Sequence, residues 1–302
     1  MTRRAQRRGV LSVGRAYCDL IFTGLPRLPS MGTEVFAGGL GVHTGGGAPI
    51  TAAHLALLGR PSALAAVLPV EPFATLVQRD LSAVGVDLRL SRAAPPGSDL
   101  QATVAMTDAG DRAFLTRRTG PAAPLPSPQD LLRMDIGHMH VGELTTLVEL
   151  PELVEIVAAA GVSLSLDCSW DDEIDAKAAA PLIAAVDVFL PNAAEAAQLA
   201  GQGLQRPFAP LTVIKSGAEG ATAETGQGRQ SAPAFAAEVV DTTGAGDAFN
   251  AGFLNAWLDG GTVEACLRAG NAAGAKAVST RGGFACADAR DDVRARQTEA
   301  AG

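Results

Sequence analysis

Between residues 137 and 214 short apolar runs alternate with longer helical ones, and few architectures accommodate that rhythm. Strands are predicted at 137–141, 162–167, 186–190 and 211–214, with helices at 151–160, 178–185 and 193–200. Such an order favours a parallel sheet buried by helices on both faces. The N-terminal part fits the same scheme. Val10–Val13 reads as a strand ended by Gly14, and Gly45–Gly47 opens a helix over 48–58 that Gly59 closes. A strand at 62–67 and a helix at 73–84, ended by Gly85, follow. The predicted fold is therefore α/β, with a Rossmann-like, doubly wound, mostly parallel sheet. Two stretches break the pattern. Residues 15–45 show no helical period, only β-like pieces such as Thr33–Phe36, while 100–106 and 112–116 flank the turn residues Thr107–Asp111 and read as a hairpin. Together the segments at about 15–45 and 98–120 are expected to form a small β-sheet lid over a cleft of one domain spanning 1–302. The charged stretch 288–301 reads as a terminal helix.

Composition removes several classes of function. Hydrophobic residues make up 47% and charged residues 19%, enough for a large core. With 24 basic against 32 acidic residues the net charge is −8, which argues against a nucleic-acid partner. No apolar run approaches the roughly 20 residues a membrane span needs. The basic start at 1–8 precedes an apolar run too short for a signal peptide. Four cysteines, Cys18, Cys168, Cys266 and Cys286, lack paired spacing, as in a reducing, cytoplasmic setting. His138 and His140 alternate on a strand with no cysteine at ligand spacing, so a zinc site is not expected. His54, Trp170, Trp257 and Phe253 read as packing residues.

One segment carries most of the chemistry. Residues 238–258 pass from a short β-branched strand through Asp241-Thr-Thr-Gly-Ala-Gly-Asp247 directly into a helix. Gly244, Ala245 and Gly246 would leave amides bare at the positive end of that helix, an anion site. A carboxylate there repels an anion unless it has chemical work. Asp247 therefore reads as a general base taking a proton from an attacking hydroxyl, against the plainer role of stabilising the helix dipole.

This string resembles the C-terminal signature of the PfkB, or ribokinase-like, carbohydrate kinase family. Phe189–Glu195 resembles its N-x-x-E element, Val213–Gly220 its later strand and glycine turn, and Gly45–Gly59 its N-terminal signature, so the similarity covers about residues 9–290. The resemblance implies an ATP-dependent kinase acting on a primary hydroxyl of a sugar or sugar-like molecule. It makes Asp247 the base and the Gly244–Gly246 backbone the anion hole. Asn192 and Glu195 would place Mg2+ through water, although the same pair also reads as a helix cap. Lys215, Ser216, Gly217, Gly220, Thr242 and Asn271 would border the nucleotide. A K+ site would draw on Asp241, Thr243, Ala277, Thr280, Gly282 and Cys286, and a neutral thiol at Cys286 is a poor ligand for it.

On the acceptor side the resemblance assigns sugar contacts to Asp19, Gly46 and Gly47. Ile50 stands where that family commonly has Asn, so a polar contact is lost and substrate choice should change. Glu143 is a further polar candidate or a solvated loop residue. His43, Arg117 and Arg118 are candidates for meeting an acidic or bulky substituent. The resemblance also allows a homodimer through the lid. Two other readings stay open: a nucleoside kinase on the same scaffold, and a catalytically silent sugar- or nucleotide-binding regulator. A dinucleotide dehydrogenase is excluded, because Gly14–Asp19 lacks the G-x-G-x-x-G turn.

Overall fold

Gly9–Val13 (β1) is buried at every position, as a strand inside a sheet covered on both faces must be. The computed structural model describes residues 8–107, 112–169, 171, 174–280 and 282–284. After β1 the chain forms β2 (Tyr17–Thr23), β3 (Gly39–Gly45), α1 (Gly47–Leu57), β4 (Ser62–Ala65), β5 (Val67–Leu68), α2 (Phe73–Ala83) and β6 (Arg92–Ala93). Then come β7 (Ala102–Thr107), β8 (Arg112–Arg117), α3 (Pro128–Arg133), β9 (Ile136–Val141), α4 (Leu144–Glu149) and α5 (Leu153–Ala160). The C-terminal half holds β10 (Ser163–Asp167), α6 (Ala176–Ala184), β11 (Val188–Leu190), α7 (Ala193–Gly201), β12 (Leu211–Lys215), β13 (Ala221–Thr225) and β14 (Gly228–Ala232). Two helices, α8 (Ala245–Leu258) and α9 (Val263–Ala277), pack against each other at the end.

The large sheet runs β14-β13-β12-β11-β10-β9-β1-β4, parallel from β12 to β4, with β13 and β14 antiparallel. The chain leaves β1 toward β4 on one side and returns as β9 on the other, so strand order reverses at β1. In open α/β sheets ligands bind at such a reversal, beyond the carboxyl ends of the strands. A separate sheet, ordered β3-β2-β7-β8, takes its strands from the two stretches that interrupt the α/β pattern. Its strand β2 is only partly buried, whereas β1 is buried throughout.

Apolar packing explains the body. Leu11, Val13, Met139, Val141, Leu164 and Leu166 from three adjacent strands share one core with α3 to α6. On the other face Phe249, Phe253 and Leu254 of α8 cover β11 to β13. Phe253 is core, as expected, and Trp257 packs partly buried beside it, edge-on to His138.

Some elements differ from expectation. The β-branched run at Glu238–Val240 forms no strand. Val239 and Val240 are exposed, and the amides of Val240 and Asp241 both donate to the carbonyl of Val278 at the end of α9. Thr33–Phe36 is not a strand either; the second strand of that region forms at Gly39–Gly45, paired antiparallel with β2. The short helices α3 and α4 and the β13–β14 hairpin carried no clear period. Trp170, residues 108–111, Cys286 and the stretch 288–301 lie outside the described residues.

Candidate active site

The site forms where β1, β9, β10, β11 and β12 end, with the start of α8 facing them. Gly244 begins α8 in the left-handed region at φ 72°, and a Cβ on it would lie 2.6 Å from the carbonyl of Gly283, so glycine is required on two counts. No side chain caps this helix. The Ala245 amide is spent on the carbonyl of Thr242 at 3.3 Å. The amides of Gly244, Gly246 and Asp247 have no partner among the described residues, so part of the expected anion hole remains open to a ligand.

Asp247 sits in the first turn, half-buried, beside Gly47 of α1. A Cβ on Gly47 would come within 3.1 Å of Asp247 Oδ1 and 2.6 Å of the Gly142 carbonyl, so the start of α1 seats against both. Removal from water pushes the Asp247 carboxyl well above the usual range. The neighbouring Asp167 carboxylate pushes the same way, and Lys215 pulls against them.

Lys215, at the end of β12, is fixed rather than free. Its Nζ donates to both oxygens of Asp167 at 2.9 Å and to Asn250 Oδ1 at 3.2 Å. Asn250 Nδ2 donates to Asp167 Oδ2 at 2.6 Å, closing a buried triangle. Burial opposes the ammonium, but the carboxylates of Asp167 and Glu195 outweigh it and raise the Lys215 pKa. Nζ stands 3.5 Å from where a Cβ on Gly246 would be, so a full positive charge borders the helix terminus. Asp167 and Asn250 were missed in the sequence. Asp167 closes a buried strand at its carboxyl end, and Asn250 is a fully buried polar residue between Phe249 and Ala251.

These groups open onto a cavity of about 810 Å³ that also takes in Asn192, Glu195, Gly217, Gly220, Thr242 and Asn271. Asn192 caps α7: its Oδ1 accepts from the Glu195 amide at 2.9 Å, and the Glu195 carboxylate accepts from the Asn192 amide at 2.7 Å. The cap and the cavity position coexist. Asn271 donates its amide to the carbonyls of Ala232 and Pro233, both at 3.0 Å, and so shapes the wall of the cavity. Ser216 is not among the lining residues; its backbone pairs with Gly220 and Glu219 in the turn.

The acceptor side lies under the small sheet. The carboxylate of Asp19, on β2, fills the space a side chain at Gly45 would occupy. Burial, with the Asp241 carboxylate nearby, pushes its pKa up to about 7. Gly46 caps α1 at φ 101°. Glu143 is not a solvated loop residue: it accepts from Thr146 Oγ1 at 2.8 Å and from the Arg15 amide at 3.3 Å, and burial raises its pKa. Arg118 pairs with Asp171 at 2.5 Å, whereas Arg117 turns outward to Asp99. Ile50 is 3% exposed and packs on Gly283, among Ala16, Ala48 and Phe284. It serves the core beneath the site. Arg15, also unanticipated, is buried at the root of the small sheet. It donates to Gln101 Oε1 at 2.9 Å, to the carbonyls of Thr119 and Gly120, and to Glu149.

His138 and His140 join no metal set. They hydrogen-bond Ser163 and Ser165 inside the sheet, where burial lowers their pKa values to about 3 and about 4. Among the described residues no group of three or more His, Cys, Asp or Glu side chains could hold a metal. Mg2+ does not need one, since it keeps waters and shares phosphate oxygens with one or two carboxylates; Glu195 on the cavity wall fits that role. Some of the oxygens nominated for K+ are already engaged. Asp241 Oδ1 and Oδ2 accept from the amides of Thr243 and Gly282, and the Ala277 carbonyl accepts from both the amide and the hydroxyl of Thr280.

A parallel α/β body with open helix-terminal amides, a pinned lysine and an uncommitted carboxylate at one cavity offers the groups that phosphoryl transfer requires. The family model described as pfkB family carbohydrate kinase matches residues 8–290, and the chain belongs to that family. It is an ATP-dependent carbohydrate kinase. The ATP-dependent ribose-1-phosphate kinase of Halopiger xanaduensis is 31% identical over 282 residues, covering 90% of this chain and 93% of that protein. Among solved structures, the Methanocaldococcus jannaschii nucleoside kinase superposes with TM-score 0.79 at 18% identity, over 97% of this chain and 99% of that one. Arabidopsis thaliana ribokinase, complexed with ribose and ATP, gives 0.73 at 23% identity over 91% and 94%. These two likenesses show the shared ribokinase-like fold.

Proposed function

We propose that this kinase transfers the γ-phosphoryl group of ATP to a primary hydroxyl of a sugar or sugar-like acceptor, with Asp247 as general base. The observation that carries this reading is the Asp247 carboxylate. It makes no hydrogen bond to any described residue, and it stands between the acceptor-side glycine Gly47 and the open amides of α8. The acceptor hydroxyl gives its proton to Asp247 as its oxygen bonds to phosphorus, and the bond to the ADP oxygen breaks. A carboxyl whose pKa is raised is the stronger base for that transfer. Lys215 and the amides of Gly244 and Gly246 meet charge developing on the phosphoryl oxygens, already oriented before the reaction begins. Mg2+, held near Glu195 and Asn192, neutralises phosphate charge when bound.

The segments at about 15–45 and 98–120 act as a lid of a single kinase domain, with Asp19 and Glu143 turned toward the acceptor. Phe36, Leu40, Phe114 and Leu115 on the small sheet and its loop are exposed, and a homodimer joined through the lid would cover them. Sedimentation of the chain tests that reading. Cys18, Cys168 and Cys266 are free and buried, in keeping with a cytoplasmic protein. Among the described residues no helix is long and apolar enough to cross a membrane.

An ATP-consumption screen over pentoses, hexoses, sugar acids, ribose 1-phosphate and nucleosides identifies the acceptor. Asp247→Asn should then lower turnover by roughly 10²–10⁴-fold while circular dichroism stays unchanged. Near-normal turnover in the folded variant overturns the base assignment.

A further inference from the structure

The open amides at the start of α8 raise a mechanical question. A helix terminus with no side-chain cap and a left-handed first residue has little of its own to hold its shape. What presses on it is the segment 282–284. The space beside Gly244 Cα is closed by Gly283, whose carbonyl lies 2.6 Å and whose Cα lies 2.8 Å from the position of a Gly244 Cβ. That segment is itself held from three sides. Its Gly282 amide donates to Asp241 Oδ2 at 3.0 Å, and Phe284 is buried in the apolar cluster around α1. A Cβ on Gly283 would lie 2.6 Å from Ile50 Cδ1, so Ile50 fills the space beneath it.

The fourth contact is polar. His54, one helical turn after Ile50 on α1, lies with its Nε2 2.9 Å from the Gly283 carbonyl oxygen. Only a protonated Nε2 can donate to a carbonyl, which fixes the tautomer with Nδ1 bare. Burial lowers the pKa of this imidazole, so it stays neutral. The carbonyl it holds is the same one that packs on Gly244.

We propose that His54 is a positioning residue for phosphoryl transfer: by holding the Gly283 carbonyl it clamps Gly244 and keeps the amides of Gly244, Gly246 and Asp247 aimed at the transferred group. His54 touches neither substrate nor nucleotide. The proposal rests on the reading of these amides as the anion hole. It assigns to α1 a role in the donor half of the site, where the sequence suggested only packing. It also gives Ile50 a purpose, since Ile50 and His54 grip one glycine from one helix face, the first by shape and the second by a hydrogen bond.

The test uses the full chain with His54→Gln and His54→Asn. Gln can place its Nε2 amide about where the imidazole Nε2 stands, whereas the Asn amide is too short to reach. Two readouts are taken: amide hydrogen exchange of the peptide covering 241–250 without ligand, and steady-state kinetics with the acceptor found by the screen. His54→Asn should speed exchange at Ala245 and Ala248, whose amides bond the carbonyls of Thr242 and Gly244, and lower kcat by roughly tenfold, about the worth of one hydrogen bond, with the KM for ATP unchanged. His54→Gln should restore both. Unchanged exchange in His54→Asn overturns the proposal, as does a loss confined to KM or one that Gln fails to rescue. Asp247→Asn, run in parallel, should lose turnover and keep wild-type exchange. Failure of the base assignment is thereby read separately from failure of the clamp. Should His54→Asn not fold, Ile50→Ala loosens the same glycine and must show the same exchange signature for the clamp to stand.

Discussion

The two halves of the site differ in how far their polar groups are already committed. On the donor side Lys215, Asp167 and Asn250 bond one another, Asn192 and Glu195 cap a helix together, and Asn271 braces two carbonyls. On the acceptor side the Asp19 carboxylate makes no hydrogen bond to any described residue, and neither does Asp247. Apart from the open amides of α8 on the first side and Glu143 on the second, the donor side is committed and the acceptor side is not. On the proposed reading a nucleotide would meet groups that need no rearrangement, whereas a polyol would bring the donors that Asp19 and Asp247 lack. Preorganisation would then serve phosphoryl transfer, and the unpaired carboxylates recognition of a hydroxyl-rich partner.

Substitutions can break that contrast. Lys215→Met should have the largest effect. It strips the charge beside Gly246 and should lower turnover by roughly 10²–10³-fold. It also leaves Asp167 buried without its cation, which should cost roughly 3–5 kcal/mol in thermal or denaturant unfolding. Wild-type stability in that variant would show that the donor side is not held as described.

Asp19→Asn should act on recognition and on pH dependence. The ionised carboxylate accepts hydroxyl hydrogen bonds, so acceptor KM should fall as pH rises through about 7. The Asn variant should lose this inflection and raise KM roughly 10–100-fold, the worth of a charged hydrogen bond. The stability sign runs the other way. Because the folded pKa lies above the unfolded one, the stabilising contribution of the neutral group is complete below the unfolded value and is lost as pH climbs to about 7. Asp19→Asn should flatten that decline in unfolding measurements across pH 4–8.

Glu195→Gln should have the smallest effect. Gln keeps an acceptor for the Asn192 amide, so stability should change by no more than about 1 kcal/mol. The Mg2+ concentration for half-maximal turnover should rise several-fold. An unchanged Mg2+ titration would remove Glu195 from the metal's surroundings.

Much of this was legible in the residues, for identifiable reasons. The parallel strands announced themselves because burial on both faces demands largely apolar runs such as Val10–Val13 and Leu211–Ile214, each broken by a single hydroxyl residue. Gly244 and Asp247 stood out because an anion site must use backbone and because a carboxylate beside it is otherwise unfavourable. The strand read at Glu238–Val240 failed because β-branched residues favour extended backbone without supplying a partner strand, and the amides there went to Val278 instead. Ile50 was read as a lost polar contact to the substrate; that its side chain packs on Gly283 is a direction no helical period reveals. Asp167, Asn250 and Arg15 were missed for a common reason. Each acts through partners at least 35 residues away in the chain, and only the fold brings them together.

The Arg15 guanidinium has a practical corollary. β2 leaves the body at Arg15, β7 begins beside Gln101, and β8 returns through Thr119 and Gly120, all within reach of one side chain anchored on Glu149. The small sheet is thereby fastened to the body at Arg15, and a second time by β3, which passes through Gly46 into α1 and is tied to α2 by Thr44 Oγ1 donating to Asp80 Oδ2 at 3.3 Å. Exchanging the sheet for the equivalent piece of a relative, in order to graft a new appetite onto this body, requires carrying both attachments across intact.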